Sequence, residues 1–111
     1  MGLPGAKTNI HFVMPDTSFN SSNTMVFVVY TAINSVYNPW SYTASSNSFD
    51  LGGSFIAPVG YNINVITLCK KTNGTYYFSE QNGLTITDAM SINVTMTERT
   101  LDYIKTRLGE L

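Results

Sequence analysis

From Met90 to Thr97 apolar and polar side chains alternate without a break: Met90, Ile92, Val94 and Met96 are interleaved with Ser91, Asn93, Thr95 and Thr97. A period of two belongs to a β-strand, whose successive side chains leave on opposite faces, so this segment reads as a strand with one dry face and one wet one. The same period runs from Tyr61 to Cys69, where Tyr61, Ile63, Val65, Thr67 and Cys69 share the face expected to be buried. Ile66 and Leu68 make the opposite face apolar as well, the pattern of a central strand covered on both sides. Upstream, Thr8 to Met14 points Ile10, Phe12 and Met14 inward until Pro15-Asp16 ends the run, and Met25 to Tyr30 is apolar on both faces.

Turn signals separate these runs. Asn73-Gly74 and Asn82-Gly83 both tolerate the positive φ angles of a tight hairpin, and the second is expected to turn Tyr76-Tyr77-Phe78 into Leu84-Thr85-Ile86-Thr87. Ser48–Leu51 and Ser54–Ile56 read as short strands joined by Gly52-Gly53, and Pro58-Val59-Gly60 leads into the long central strand. Asn34 to Asn47 reads as a polar loop holding Pro39 and Trp40. Seven to eight short strands spaced about ten residues apart are the signature of an antiparallel β-sandwich. At 111 residues there is room for one core, expected to bury Met25, Phe27, Val29, Ile63, Val65, Tyr76, Phe78, Ile92 and Val94 between two sheets.

The period then changes. Residues 1–97 make up the sandwich with an N-terminal arm over 1–7, and 98–111 form an amphipathic helix with Thr97 as its cap and Gly109 near its end. Leu101, Ile104, Leu108 and Leu111 line one stripe of it. Barely three turns of helix are marginal alone, so the stripe must dock on its own sandwich or on a neighbouring chain, with Lys105 and Arg107 at the rim.

Charge narrows the function. Between Thr17 and Cys69 the only formal charge is Asp50, and six of the thirteen charged side chains fall within the last fourteen residues. Asn, Ser and Thr, about a third of the chain, carry the polar surface instead. A neutral, hydrogen-bonding surface suits packing against other subunits or contact with glycans, and with a net charge of −1 it does not suit nucleic acid. Lys70-Lys71 is a pair, read as a solvated hairpin end. The N-terminus lacks the apolar core of a secretory signal, and no apolar run approaches a membrane span.

The residue types for catalysis are sparse. His11 is the single histidine, on the outward side of the first strand, and Cys69 the single cysteine, in phase with the buried face. One histidine and one cysteine exclude an intrachain disulfide and a protein zinc site on ligand count. Asp16, Asp50, Glu80 and Asp88 are scattered beside turns, and Asp16, Asp50 and Asp88 read as turn-capping groups rather than an acid/base pair or a calcium loop. Gly52-Gly53 lacks the lysine and following helix of a phosphate loop. No catalytic residue, cofactor or metal is expected, and the chain reads as a non-enzyme. Tyr37, Trp40 and Tyr42 stand out in the 36–42 segment: exposed together they would form a platform for protein or glycan, and the alternative is that Trp40 plugs one end of the sandwich.

The stretch from Phe49-Asp50-Leu51-Gly52-Gly53-Ser54-Phe55 to Pro58-Val59-Gly60-Tyr61 and Val65 resembles the core of transthyretin-like or carboxypeptidase-regulatory-like (Ig-like) β-sandwiches. That resemblance implies a non-catalytic accessory or assembly module, usually exported. Leu101-Asp102-Tyr103-Ile104-Lys105-Thr106-Arg107-Leu108-Gly109 is similar to a helical segment of neck and connector proteins of tailed bacteriophages. Together these features lead us to expect a structural subunit of a large symmetric assembly, a bacteriophage virion protein of the neck, tail or capsid, made in the host cytoplasm. Its partners would be copies of itself and other subunits, with Leu101, Ile104, Leu108 and Leu111 among the contacts. The alternative is an Ig-like or transthyretin-like binding module, at the cell surface if an export signal has been removed, that contacts protein or glycan through residues 36–42.

Overall fold

A computed structural model describes residues 7–8, 10–20, 22–30, 35–38, 41–42, 48–50 and 57–109. The elements are β1 (Lys7–Thr8), β2 (Ile10–Val13), β3 (Thr24–Tyr30), β4 (Ser35–Asn38), β5 (Ser41–Tyr42), β6 (Ser48–Asp50), β7 (Ala57–Pro58), β8 (Asn62–Lys70), β9 (Tyr76–Thr85), β10 (Met90–Asn93), β11 (Thr97–Glu98) and α1 (Leu101–Gly109). Among the described residues six strands reach four residues, not the seven to eight expected, and the others are shorter. A five-stranded sheet has the order β11-β9-β8-β3-β4, a four-stranded one β10-β2-β6-β5, and β1 pairs with β7 as a separate ribbon. The chain crosses repeatedly between the two larger sheets, which makes the architecture sandwich-like and mainly β.

One pairing departs from the antiparallel expectation. β10 lies parallel to β2, with Met90 opposite Ile10 and Asn93 opposite Val13. Strands joined by a tight hairpin must run antiparallel, but β2 and β10 lie near opposite ends of the chain, so no connection dictates their direction. The segment expected as a loop over 34–47 also carries strands, because β4 extends the five-stranded sheet along β3 and β5 borders β6.

The central strand β8 behaves as its composition requires. Ile63, Val65 and Cys69 join Ile10, Phe12, Met14, Met25, Phe27, Val29, Phe49, Ile92 and Val94 in the core between the sheets. There Phe12 of β2 stacks on Phe27 of β3 with ring centroids 4.7 Å apart, and Phe49 of β6 lies 5.5 Å from Phe27, so three strands of two sheets meet at one ring. The other face of β8 contributes Ile66 to a second cluster with Val28, Phe78 and Ile104, bordered by Tyr30, Leu68, Tyr76 and Leu108. α1 therefore covers the outer face of its own five-stranded sheet.

Four expectations change. Tyr76 and Phe78 sit on that outer face beneath α1, and Tyr77 packs on the inter-sheet core in their place. All three residues are apolar or aromatic, so alternation alone assigns no side to either set. Tyr61, expected to be buried, is 60% exposed because it precedes the first paired residue of β8. Asn82-Gly83 makes no hairpin: β9 continues through it, and the register slips by one residue between Ile63↔Leu84 and Val65↔Gln81. Gly83, at φ +69°, forms a β-bulge whose N–H donates to Asn64 Oδ1 at 2.8 Å. The true hairpin is Lys71–Thr75, closed by Lys71 N–H to the Thr75 carbonyl at 2.8 Å, with Gly74 at φ +90°. Finally, Thr97 lies in β11, and the helix is capped by Thr100, whose Oγ1 accepts from the Tyr103 N–H at 3.1 Å.

Two substitutions test this packing. Val65→Ala removes two methyl groups from the inter-sheet core and is expected to lower stability by about 1–4 kcal/mol, with Ile92→Ala behaving alike, as read from denaturant midpoints. Ala89 holds a left-handed conformation at φ 51°, just before β10. Replacing it with glycine should raise stability by roughly 0.5–1 kcal/mol, read from the same midpoints, and a fall would place that backbone elsewhere.

Candidate functional site

The side of the molecule that carries α1 concentrates the features of a contact surface. Val26 on the outer face of β3 is 38% exposed, and Leu101 and Tyr103 in the first turn of α1 are each 39% exposed. Ile104 turns into the sheet and is buried although Leu101, three residues earlier, shares its side of the helix, and Tyr103 beside it packs T-shaped on Phe78 with ring centroids 5.8 Å apart. The Arg99 guanidinium lies over the Tyr103 ring at 4.6 Å, a cation–π contact between two exposed side chains. Two open depressions, of about 350 and 190 Å³, flank Arg99. Thr75, Tyr76, Glu98 and Thr100 help to line the larger, and Phe78, Glu80, Thr97 and Tyr103 the smaller.

Of the partner-contact residues expected from the stripe, Leu101 is exposed, Ile104 is buried on the chain's own sheet and Leu108 is half-buried there. Leu111 and Trp40 lie outside the described residues, and the side chains of Tyr37 and Tyr42 do as well. Their backbones are placed: Tyr37 in β4 pairs with Val28, and Tyr42 in β5 pairs with Phe49.

An ion pair ties the helix down. Arg107 donates from Nε to Glu80 Oε1 at 2.8 Å and from Nη2 to Oε2 at 2.6 Å, a bidentate contact between α1 and the middle of β9. Arg107 is therefore engaged with its own sheet, and Glu80 is not beside a turn. Burial pushes the nearby Tyr30 hydroxyl up, with the Glu80 carboxylate adding to the shift and Arg107 opposing it. Lys71 is a second anchor rather than a solvated end. Its ammonium donates to the Ser18 carbonyl and hydroxyl, both at 2.8 Å, and lies 3.8 Å from the Phe19 ring centroid, latching the loop after β2 to the hairpin. In that loop Asp16 accepts from Ser18, as expected of a turn cap, and this hydrogen bonding holds its carboxyl below the usual range.

The sheet register also brings polar residues together that the sequence keeps apart. On β2, His11 pairs with Ser91 of β10 on one side and with Asp50 of β6 on the other, and Asp50 in turn pairs with Ser41. Asp50 thus belongs to a strand rather than to a turn, and the single histidine has a carboxylate residue opposite it. The row runs across the four-stranded sheet. Among the described residues, no group of three potential ligands could hold a metal ion, and no helix is long and apolar enough to cross a membrane.

No protein-family model, curated protein or solved structure matches the chain. The Arg99–Tyr103 stack and the Arg107–Glu80 pair escaped the sequence reading. The first was detectable as an i, i+4 spacing at a helix start, whereas nothing in the sequence signals a pair 27 residues apart.

Cys69 is fully buried, and burial raises its thiol pKa. The folded chain should resist a thiol-modifying reagent at neutral pH and react only on unfolding. Because the unfolded thiol ionises first, stability should fall as pH rises past the ordinary thiol range, and Cys69→Ala should remove that part of the decline.

Proposed function

We propose that this chain is a non-enzymatic structural subunit of a large symmetric assembly, with a bacteriophage virion as its setting. The observation that carries the reading is the exposure of Val26, Leu101 and Tyr103 on one side of the molecule, beside the stacked Arg99. Aromatic side chains and arginine are what protein interfaces enrich, and a rigid ring under a guanidinium loses little freedom when a partner covers it. The charge distribution agrees: the span from Thr17 to Cys69, with Asp50 as its only charge, supplies strands of both larger sheets, so two faces carry little to repel a neighbouring copy. The phage setting draws on the likeness of Leu101–Gly109 to a connector segment. A transthyretin-like or Ig-like affiliation draws on the Phe49–Val65 stretch together with the sandwich-like architecture.

The second reading is a binding module that uses the 36–42 segment, and it rests on Tyr37, Trp40 and Tyr42 in the sequence. Solution mass against concentration separates the two. A subunit should associate as concentration rises, and replacing Leu101 and Tyr103 by serine should weaken that association at least tenfold, equivalent to about 1.4 kcal/mol. A chain that stays at 12.2 kDa throughout is a monomeric module, and the assembly reading then fails.

A further inference from the structure

The last residue of β11 and the one that follows it carry opposite charges, and both are exposed. Among the described residues neither Glu98 nor Arg99 makes an ion pair. Each stands on a fixed backbone: Glu98 pairs with Tyr77 of β9, and the Arg99 N–H donates to the Tyr76 carbonyl at 3.0 Å. Successive side chains along a strand leave on opposite faces, so the two charges part at this point. Glu98 takes the side on which Tyr77 packs on the inter-sheet core, and Arg99 takes the side of α1, where it stacks on Tyr103. β11 is the terminal strand of the five-stranded sheet, which puts both charges at the sheet's edge. Stacking covers one face of the guanidinium and leaves the N–H donors in its plane available. The two depressions lie beside it, and Glu98 lines the larger.

We infer that this edge makes a two-fold contact with a second copy of the chain, in which Glu98 of each copy meets the partner's Arg99. This rests on the assembly reading and names the partner that the exposed patch meets. Charge complementarity carries it. A two-fold contact presents the same surface from both sides, so wherever one residue touches another, the reverse contact is made as well. A lone charge near such an axis meets its own copy and is repelled. An adjacent glutamate and arginine instead form two identical ion pairs. A two-fold axis along the edge also exchanges the faces of the sheet, which brings Glu98 of one copy and the partner's Arg99 to the same side. There the in-plane donors of the guanidinium can take the carboxylate through two parallel hydrogen bonds. Leu101 and Tyr103, which follow directly in the first turn of α1, supply the apolar part of the contact.

Charge reversal tests the contact. Glu98→Arg places two cations at the edge and Arg99→Glu two carboxylates, so each variant meets only like charge in its own copy. In a mixture the native Arg99 of the first chain meets the native Glu98 of the second, and the introduced arginine meets the introduced glutamate. The wild-type chain is expected to reach twice the single-chain mass as concentration rises. Each variant alone should need a concentration roughly tenfold higher or more, and the mixture should associate more tightly than either. Variants that associate as tightly as wild type, or a mixture no tighter than its components, overturn the inference. If Arg99→Glu does not fold, Glu98→Arg decides alone, because it leaves the Arg99–Tyr103 stack in place: a loss of association supports the contact, and undiminished association overturns it. Association that both charge variants keep but a Leu101→Ser, Tyr103→Ser chain loses also overturns it. The assembly reading then stands, with Arg99 left to a partner other than a second copy facing it across this axis. A wild-type chain at single mass at every concentration overturns both.

Discussion

Burial of β8 on both faces is the constraint from which the rest of the molecule follows. A strand with Ile63, Val65 and Cys69 on one side and Ile66 and Leu68 on the other must be covered twice. The four-stranded sheet supplies the first cover, and three phenylalanines, Phe12, Phe27 and Phe49, set how the sheets meet. The second cover is α1, and its short length makes it a dependent partner: the sheet gives the helix its structure and the helix keeps the sheet dry. The two clusters are unequal. The inter-sheet core is closed by strands along its length, whereas the outer cluster relies on Ile104, a half-buried Leu108 and one ion pair.

Thr67 shows what such a core tolerates. It sits in β8 between Val65 and Cys69, 1% exposed, with no hydrogen-bond partner for its hydroxyl. A buried hydroxyl without a partner costs free energy, and its β-branched shape matches valine in volume, so the position fills space at an energetic disadvantage. The surrounding packing keeps it in place because the strand's register is specified elsewhere, by Ile63, Val65 and Cys69 on the same face.

How far the fold was legible follows from the same physics. Alternation assigned Ile10, Phe12 and Met14, and Ile92 and Val94, to the core because their opposite faces are the less apolar ones, with His11 and Val13 on β2 and Ser91 and Asn93 on β10. It failed at Tyr76-Tyr77-Phe78, where both faces are aromatic and only the arrival of α1 decides which is outside. The dipeptide Asn-Gly marks a positive φ, and both copies have one, but a positive φ serves a bulge as well as a hairpin. Asn73-Gly74 turns the chain and Asn82-Gly83 shifts its register, and the difference is whether the partner strand is still alongside. The candidate site was less legible, since Glu80–Arg107 and the His11–Asp50 register are products of tertiary assembly. The Leu101–Leu111 stripe was visible, but not that its members divide between the chain's own sheet and solvent.

The placement of charge gives the outer cluster its specificity. Apolar contact is non-directional, and a short helix with two inward side chains could slide by a turn on the floor made by Val28, Ile66 and Phe78. A bidentate guanidinium–carboxylate contact fixes both position and rotation, because two parallel hydrogen bonds are satisfied in one geometry. Partly exposed on both sides, at 32% and 19%, the pair adds modestly to stability and strongly to register. The Arg107–Glu80 pair and Lys71 therefore act as locators, one for a helix and one for a loop, and the neutral faces are left to pack.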